Sequence, residues 1–235
     1  FSGNIGPLAQ HFHVLALDMP GWGASSAVTR EEFDHPAALL AFMDALGLQQ
    51  AALVGNSMGG VTVLDFAIRY PDRISHAITM GSGHMVSRKL FGPGDGPSEG
   101  LKALFQAYIT PTPEAMKNLV SIMCFDKSFA TDELARARSE ITLSRPDHIQ
   151  NFIDSLPKGG PIRDWFDLDD LNTLAVPTLL IHGRDDRVVP FEDSLAFVAR
   201  IPNSRLVLLN RCGHWAMIEH ADEFNRMVAD FVANN

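Results

Sequence analysis

Cysteine is scarce in this chain: of 235 residues only Cys124 and Cys212 carry a thiol. They are too few and too far apart to frame disulfides or a zinc knuckle, so a reducing cytoplasm is the expected setting. Cationic residues are also in short supply, with 19 Lys and Arg against 28 Asp and Glu, a net charge of −9. No basic cluster stands ready to neutralise phosphates, which excludes duplex nucleic acid as a partner. Long apolar runs are missing too. The best candidate, Ala37 to Leu46, is short, contains Asp44 and cannot cross a bilayer core, so no membrane partner is expected. The amino end, Phe1-Ser2-Gly3-Asn4, has neither an initiator Met nor the charged region, apolar core and cleavage site of a signal peptide.

What is present is the composition of a globular protein, 46% apolar, long enough for one large domain or one domain carrying an insertion. Short β-branched runs alternate with longer helical patterns, as in a parallel sheet with crossover helices. Strands are expected at Val14 to Asp18, Ala51 to Asn56, Ser75 to Met80, Thr178 to His182 and Arg205 to Leu209. Helices are expected at about Pro36 to Leu46, Met58 to Tyr70 and Phe191 to Ile201. Pro71 stops the second by disfavouring α geometry at Tyr70. In the last helix Phe224, Met227, Val228, Phe231 and Val232 recur at helical spacing and form one apolar stripe.

Almost a hundred residues separate the strand ending at Met80 from the one beginning near Thr178, far more than a crossover needs. The stretch opens with Gly92-Pro93-Gly94-Asp95-Gly96-Pro97 and closes with Lys158-Gly159-Gly160-Pro161. Between them Leu101, Leu104, Phe105 and Tyr108 show helix spacing, as do Leu119, Ile122 and Met123, and Thr112-Pro113 reads as an N-cap and first helical position. The expectation is an α/β core, residues 1–83 and 167–235, carrying a helical lid at 84–166.

Gly55-Asn56-Ser57-Met58-Gly59 follows an expected strand and precedes an expected helix, which is the context of a G-x-S-x-G nucleophile elbow. By chance such a five-residue pattern should occur on the order of 0.1 times in a chain of this length. The turn would lift Ser57 Oγ above the carboxyl ends of the strands, and the backbone N–H of Met58 could stabilise an oxyanion. A serine hydroxyl needs a base, and the base an orienting acid, in the chain order Ser, Asp or Glu, His. Both are supplied at strand ends. His214, in Asn210-Arg211-Cys212-Gly213-His214-Trp215, would take and return the proton; Asp185 and Asp186 compete for the acid, and spacing alone does not choose between them. His182 also ends a strand near the site. His11, His76 and His148 have no such context and read as solvated or structural.

These residues resemble the α/β-hydrolase fold, and within it the meta-cleavage product hydrolases, which cleave a carbon–carbon bond in the ring-fission products of aromatic catabolism. Asp18-Met19-Pro20-Gly21-Trp22-Gly23-Ala24-Ser25 resembles a turn shared by many hydrolases of the fold. Gly55-Asn56-Ser57-Met58-Gly59-Gly60 is more selective, and Cys212-Gly213-His214-Trp215 with Glu219-His220-Ala221-Asp222-Glu223-Phe224-Asn225-Arg226 the most. The resemblance assigns the acid to Asp186. It also picks out Arg138, in Thr131-Asp132-Glu133-Leu134-Ala135-Arg136-Ala137-Arg138, as an arginine facing the active site. There its guanidinium could hold a substrate carboxylate or dienolate, with Asn56 assisting and Trp215 packing beside the dienoate. The plainer reading is that Arg136 and Arg138 are solvated on a helix and Trp215 is core. The substrate implied is a small 2-hydroxy-6-oxohexa-2,4-dienoate, with no metal and no organic cofactor, and assembly as a homodimer or larger homo-oligomer.

Two departures accompany the match. Met80-Gly81-Ser82-Gly83-His84 lacks the further glycine and proline often found there, and the family's His-Gly-rich oxyanion loop is not among these residues. About forty further residues are expected before Phe1, supplying that loop and a strand between those ending at Asp18 and Asn56. The competing activities are a carboxylesterase or lactonase with the same triad, and a non-catalytic receptor that kept the pocket. A haloalkane dehalogenase or epoxide hydrolase is excluded, because both would need Asp at position 57. The aromatics Phe105, Tyr108, Phe125, Phe129 and Trp165 are candidates either for an apolar substrate pocket or for ordinary core.

Overall fold

The computed structural model describes residues 1–29, 32–84, 98–155 and 166–235. Four parallel strands, β1 (Ala51–Asn56), β2 (Ile74–Met80), β3 (Thr178–Gly183) and β4 (Ser204–Leu209), lie side by side in that order. All three ladders are parallel, pairing Asn56 with Met80, Met80 with Ile181 and Gly183 with Leu209 at the carboxyl ends. Those ends therefore open on one side, and every loop that follows them starts from the same edge.

Alternation along the strands sorts their side chains between two cores. Leu180 faces a cluster with Met43, Leu64, Phe66 and Phe197, whereas its neighbours Leu179 and Ile181 face one with Leu8, Met217, Phe224, Val228 and Phe231. On the first face lie α2 (His35–Ala45), α3 (Met58–Arg69) and α8 (Glu192–Val198); on the second lie α1 (Ser2–Leu8), α9 (Ala216–Glu219) and α10 (Ala221–Asn234). With both faces covered, β3 is buried at all six positions, which is why it reads as a continuous apolar run. The expected stripe of the last helix is borne out, with Phe224 fully buried, and Phe224→Ala there would cost about 3–5 kcal/mol.

Local chemistry sets the helix ends. Tyr70, before Pro71, leaves α geometry (φ −135°, ψ 58°) and ends α3. Thr112 caps α5 (Pro113–Met123) by accepting from Ala115 N, with Pro113 at the first position, as its sequence predicts. Ser98 caps α4 (Glu99–Ile109) and Thr131 caps α6 (Asp132–Leu143) in the same way, and α7 (Pro146–Ser155) completes the helical segment. Helices α4 to α6 share a core of Ala103, Ala107, Met116, Leu119, Ile122 and Ala135 that reaches Val188, Val189 and Trp215 beyond the strand ends. At the base of this segment His84 Nε2 lies 2.7 Å from the Phe166 carbonyl, so the chain leaves and re-enters the sheet layer at adjacent points.

Two expectations need correcting, and one helix was not foreseen. Val14 to Asp18 is not a strand, because a strand exists only through its ladder and no described strand lies beside this segment; among the described residues β1 is likewise paired on one side only. The helix expected from Phe191 to Ile201 is shorter: it ends at Val198, and a turn at Ala199 and Arg200 leads toward Pro202. Helix α1 was not expected, since Gly3, Gly6 and Pro7 give it poor intrinsic propensity. It is held from outside, by Asn4 Nδ2 donating to the Met217 carbonyl and to Asn225 Oδ1. Gly92 to Pro97 and Lys158 to Pro161 lie outside the described residues.

Candidate active site

Ser57 sits between β1 and α3 with φ 53° and ψ −120°, a conformation that non-glycine residues rarely adopt and that costs about 1–3 kcal/mol. The strain is held by Ser57 N donating to the Met80 carbonyl at 2.8 Å and by α3 starting directly afterwards. Of the elbow glycines, Gly55 is required by space, since a Cβ there would strike the Gly59 carbonyl and Gly60 N. Gly59 is not, because a Cβ there would meet nothing within 4 Å. Met58 is the first residue of α3, where a backbone N–H has no intrahelical acceptor and the positive end of the helix dipole lies.

The loops after β3 and β4 bring Asp186 and His214 together. His214 is buried at 2% exposure, and its Nδ1 lies 2.8 Å from Asp186 Oδ2. Asp186 Oδ1 accepts from Val188 N (2.7 Å) and Val189 N (3.0 Å), and its side chain is wholly buried. Burial alone would raise its pKa; the charge and hydrogen bonds of His214 and His182 outweigh that and hold the carboxyl well below the usual carboxylate range. Asp185 points elsewhere, accepting from Arg211 N (3.0 Å) and pairing with Arg184. Of the two candidates, geometry thus joins Asp186 to the histidine.

His214 is held on several sides. Its N–H donates to the Met123 carbonyl at the end of α5 (2.7 Å), and its own carbonyl accepts from Asn56 Nδ2 (3.2 Å). Gly81, at φ 54°, lies under the ring: a Cβ there would come within 3.0 Å of Nδ1. Glu219 binds Gly213 N (2.6 Å) and Asp126 N (2.9 Å), tying the histidine loop to the segment after α5. Sequence reasoning missed Glu219 and Met123. The block from Glu219 onward carried only a family signal, and a backbone carbonyl carries none. Among the described residues no hydrogen bond joins Ser57 Oγ to His214; such contacts are often long until substrate binds.

Asn56 has a scaffold task, since Nδ2 donates both to Met80 O (3.0 Å) and to His214 O. What it can offer a ligand is Oδ1. Arg138 is half-buried whereas Arg136 is exposed, and the Arg138 guanidinium lies 5.2 Å from the Trp215 ring centre, next to His214 in sequence. Among the described residues its Nε is buried with no hydrogen-bond partner. The Tyr108 phenol, pushed up by burial and drawn back by the Arg138 charge, is a neighbour. Tyr108, Trp22 and Phe152 pack together with ring centres 5.1 to 6.1 Å apart. Phe125, by contrast, is exposed with Arg211 stacked over it at 5.6 Å, and Trp165 lies outside the described residues.

The sequence profile of the alpha/beta hydrolase fold matches residues 1–221. A 2-hydroxy-6-oxo-6-phenylhexa-2,4-dienoate hydrolase of Burkholderia cepacia is 43% identical over 235 aligned residues, covering 98% of this chain and 81% of that protein. The chain belongs to the α/β-hydrolase fold family, among the meta-cleavage product hydrolases. A Comamonas testosteroni hydrolase named for 2-hydroxy-6-oxononadienedioate and 2-hydroxy-6-oxononatrienedioate is 39% identical to this α/β-hydrolase over the same shares of the two chains. Among solved structures, the meta-cleavage product hydrolase CumD of Pseudomonas fluorescens superposes with a TM-score of 0.85 at 33% identity, over 99% of this chain and 84% of that one. Among the described residues no helix of this hydrolase is long and apolar enough to cross a membrane.

Proposed function

We propose that this α/β-hydrolase cleaves the C5–C6 bond of 2-hydroxy-6-oxohexa-2,4-dienoates, with Ser57 as nucleophile, His214 as base, Asp186 as orienting acid and Met58 N–H as an oxyanion donor. The observation that carries this reading over a simple esterase is the buried, unpartnered Nε of Arg138, on the guanidinium that covers Trp215 beside His214. A buried donor without an acceptor is costly, and a substrate carboxylate or dienolate would complete it by charge-assisted hydrogen bonding. An ester with a neutral acyl group offers nothing of the kind.

In this reading the substrate first ketonises: the 2-hydroxyl loses its proton and C5 gains one, so that C5 becomes a competent leaving carbon. Ser57 Oγ gives its proton to His214 and attacks the C6 ketone. The C5–C6 bond then breaks, its electron pair passing into the dienolate, which takes up a proton as 2-hydroxypenta-2,4-dienoate. Water, deprotonated by His214, releases the acyl group from Ser57 as a carboxylic acid. The charge on Asp186 stabilises the imidazolium formed in each half. The helices α4 to α7 act as a lid over this chemistry, with Trp215 and Asn56 Oδ1 beside the dienoate. The same reading places the enzyme in the cytoplasm, supported by its two buried free cysteines, and makes it a homodimer or larger homo-oligomer on family resemblance alone.

The test compares kcat/KM on a 6-phenyl or 6-alkyl 2-hydroxy-6-oxodienoate with that on a simple aryl ester, with Ser57→Ala as control. Strong preference for the dienoate, abolished in Ser57→Ala, is expected. Preference for the ester would overturn the substrate and leave the serine chemistry standing.

A further inference from the structure

His182 is the penultimate residue of β3, four residues before Asp186, and is completely buried. Its Nε2 lies 3.1 Å from the Val189 carbonyl and 3.2 Å from Asp186 Oδ2, and its Nδ1 lies 2.7 Å from Ser194 Oγ on α8. A carbonyl and a carboxylate can only accept hydrogen bonds, so Nε2 must carry a proton; it bonds to the Val189 carbonyl, with Asp186 Oδ2 close by as a second acceptor at 3.2 Å. Ser194, whose hydroxyl can donate, then fills the lone pair on Nδ1. The tautomer of this ring is set by its neighbours.

We infer that His182 is a positioning residue for the triad carboxylate: its Nε2–H fixes Asp186 Oδ2 at the angle that meets His214 Nδ1. This rests on the reading of Ser57, Asp186 and His214 as the triad. The carboxylate torsion of an aspartate is intrinsically broad. Here Oδ1 is anchored by two backbone N–H groups of its own turn, which leaves Oδ2 facing His214 and His182. His214 gains and loses a proton in each half-reaction, so its bond to Oδ2 strengthens and weakens through the cycle. A second donor on Oδ2 that takes no part in the proton transfers keeps the carboxylate in place while that happens. Ser194 holds His182 from behind, so orientation passes from α8 through a buried imidazole to the acid.

The experiment uses His182→Phe, which removes the donor, and His182→Gln, which keeps an amide N–H. The readouts are the rate of Ser57 labelling by a fluorophosphonate probe, kcat and KM on the dienoate, and melting temperature. With His182→Phe, labelling and kcat are expected to fall roughly 10- to 100-fold, the loss of one hydrogen bond to a charged group, with KM within about threefold. His182→Gln should recover most of that rate. Wild-type labelling in a folded His182→Phe overturns the proposal, as does equal loss in both variants, which would mark His182 as a packing residue. Should His182→Phe not fold, ¹⁵N NMR of the wild-type ring decides: protonation at Nε2 is expected, and protonation at Nδ1 alone refutes the geometry. The underlying reading fails separately. Undiminished labelling of Ser57→Ala would sink the triad, and His182-dependent labelling without dienoate turnover would sink only the substrate.

Discussion

Replacing Arg138 by Met separates substrate binding from the catalytic machinery. The substitution keeps a long apolar stem on α6 and removes the guanidinium above Trp215. If that group holds the substrate carboxylate or dienolate, its loss removes a hydrogen bond to charge, about 1.5–3 kcal/mol, or roughly 10- to 150-fold in kcat/KM. An uncharged aryl ester should change by no more than about threefold. Stability should move the other way. The cation–π contact with Trp215 contributes about 0.5–1 kcal/mol, whereas the orphaned Nε costs about 1–3 kcal/mol in the free enzyme. The net gain of about 1 kcal/mol corresponds to a rise in Tm of roughly 2–4 °C for a chain of this size. Parallel steady-state kinetics on the two substrates and a thermal melt give all three numbers. Equal loss on dienoate and ester would refute the argument, since Arg138 would then act through Trp215 on His214 rather than on the substrate.

Further outcomes follow from the same geometry. Ser57→Gly should be more stable than Ser57→Ala by about 1–3 kcal/mol in urea unfolding, because only glycine relieves the strain at φ 53°. Glu219→Ala leaves Gly213 N and Asp126 N without their acceptor and should cost about 1–3 kcal/mol; faster hydrogen exchange at those two amides, with lower kcat, would show it. The Asp186 carboxyl, held below its unfolded value, contributes stability that is present above the unfolded pKa of about 3.9 and lost as pH falls through the lower folded value. The stability gap between the wild type and Asp186→Asn should therefore hold constant from neutral pH to about 4.5 and narrow below it, as read by unfolding at stepped pH. Cys124, its pKa pushed up to about 12 by burial and then by Glu219 and Asp126, and Cys212, raised by burial above all, should resist alkylation in the native enzyme and react in urea.

The parts of the molecule legible in the sequence are those whose cause is local. The β-branched runs and helical spacing place β1 to β4, α2 and α3 within a residue or two, helical spacing marks α5 and α10 without their full bounds, and Pro71 and Thr112 mark the end of α3 and the start of α5 by backbone chemistry. The elbow is legible for the same reason, since strand, strained turn and helix are contiguous. Val14 to Asp18 misleads because its β-branched pattern is real but a ladder depends on a neighbour. Helix α1 misleads in the opposite sense: its residues are poor helix formers, and buried Asn4 bonding to Asn225 on a distant helix overrides them. Asp185 and Asp186 are adjacent and chemically identical, so only the direction in which each leaves the turn after β3 separates them. Glu219 acts through Gly213 N and Asp126 N, 6 and 93 residues away, and His182 is held by Ser194, 12 residues away, partners that no local spacing pattern links.

The distribution of these contacts also explains how a strained site stays ordered. The β1 and β4 ends are three ladder spacings apart, about 14 Å, so the loop after β4 has to fold back across the strand ends to bring His214 toward Ser57. Asn56, next to the strained Ser57, reaches the carbonyl of His214 and closes that gap from one side, and Gly81 lets the β2 end lie directly under the imidazole. From the opposite side the carbonyl of Met123 and the bridge through Glu219 bind the histidine loop to the end of α5. His214 is thus fixed both to the sheet that carries Ser57 and to the end of α5. A shift of α5 therefore cannot leave His214 untouched.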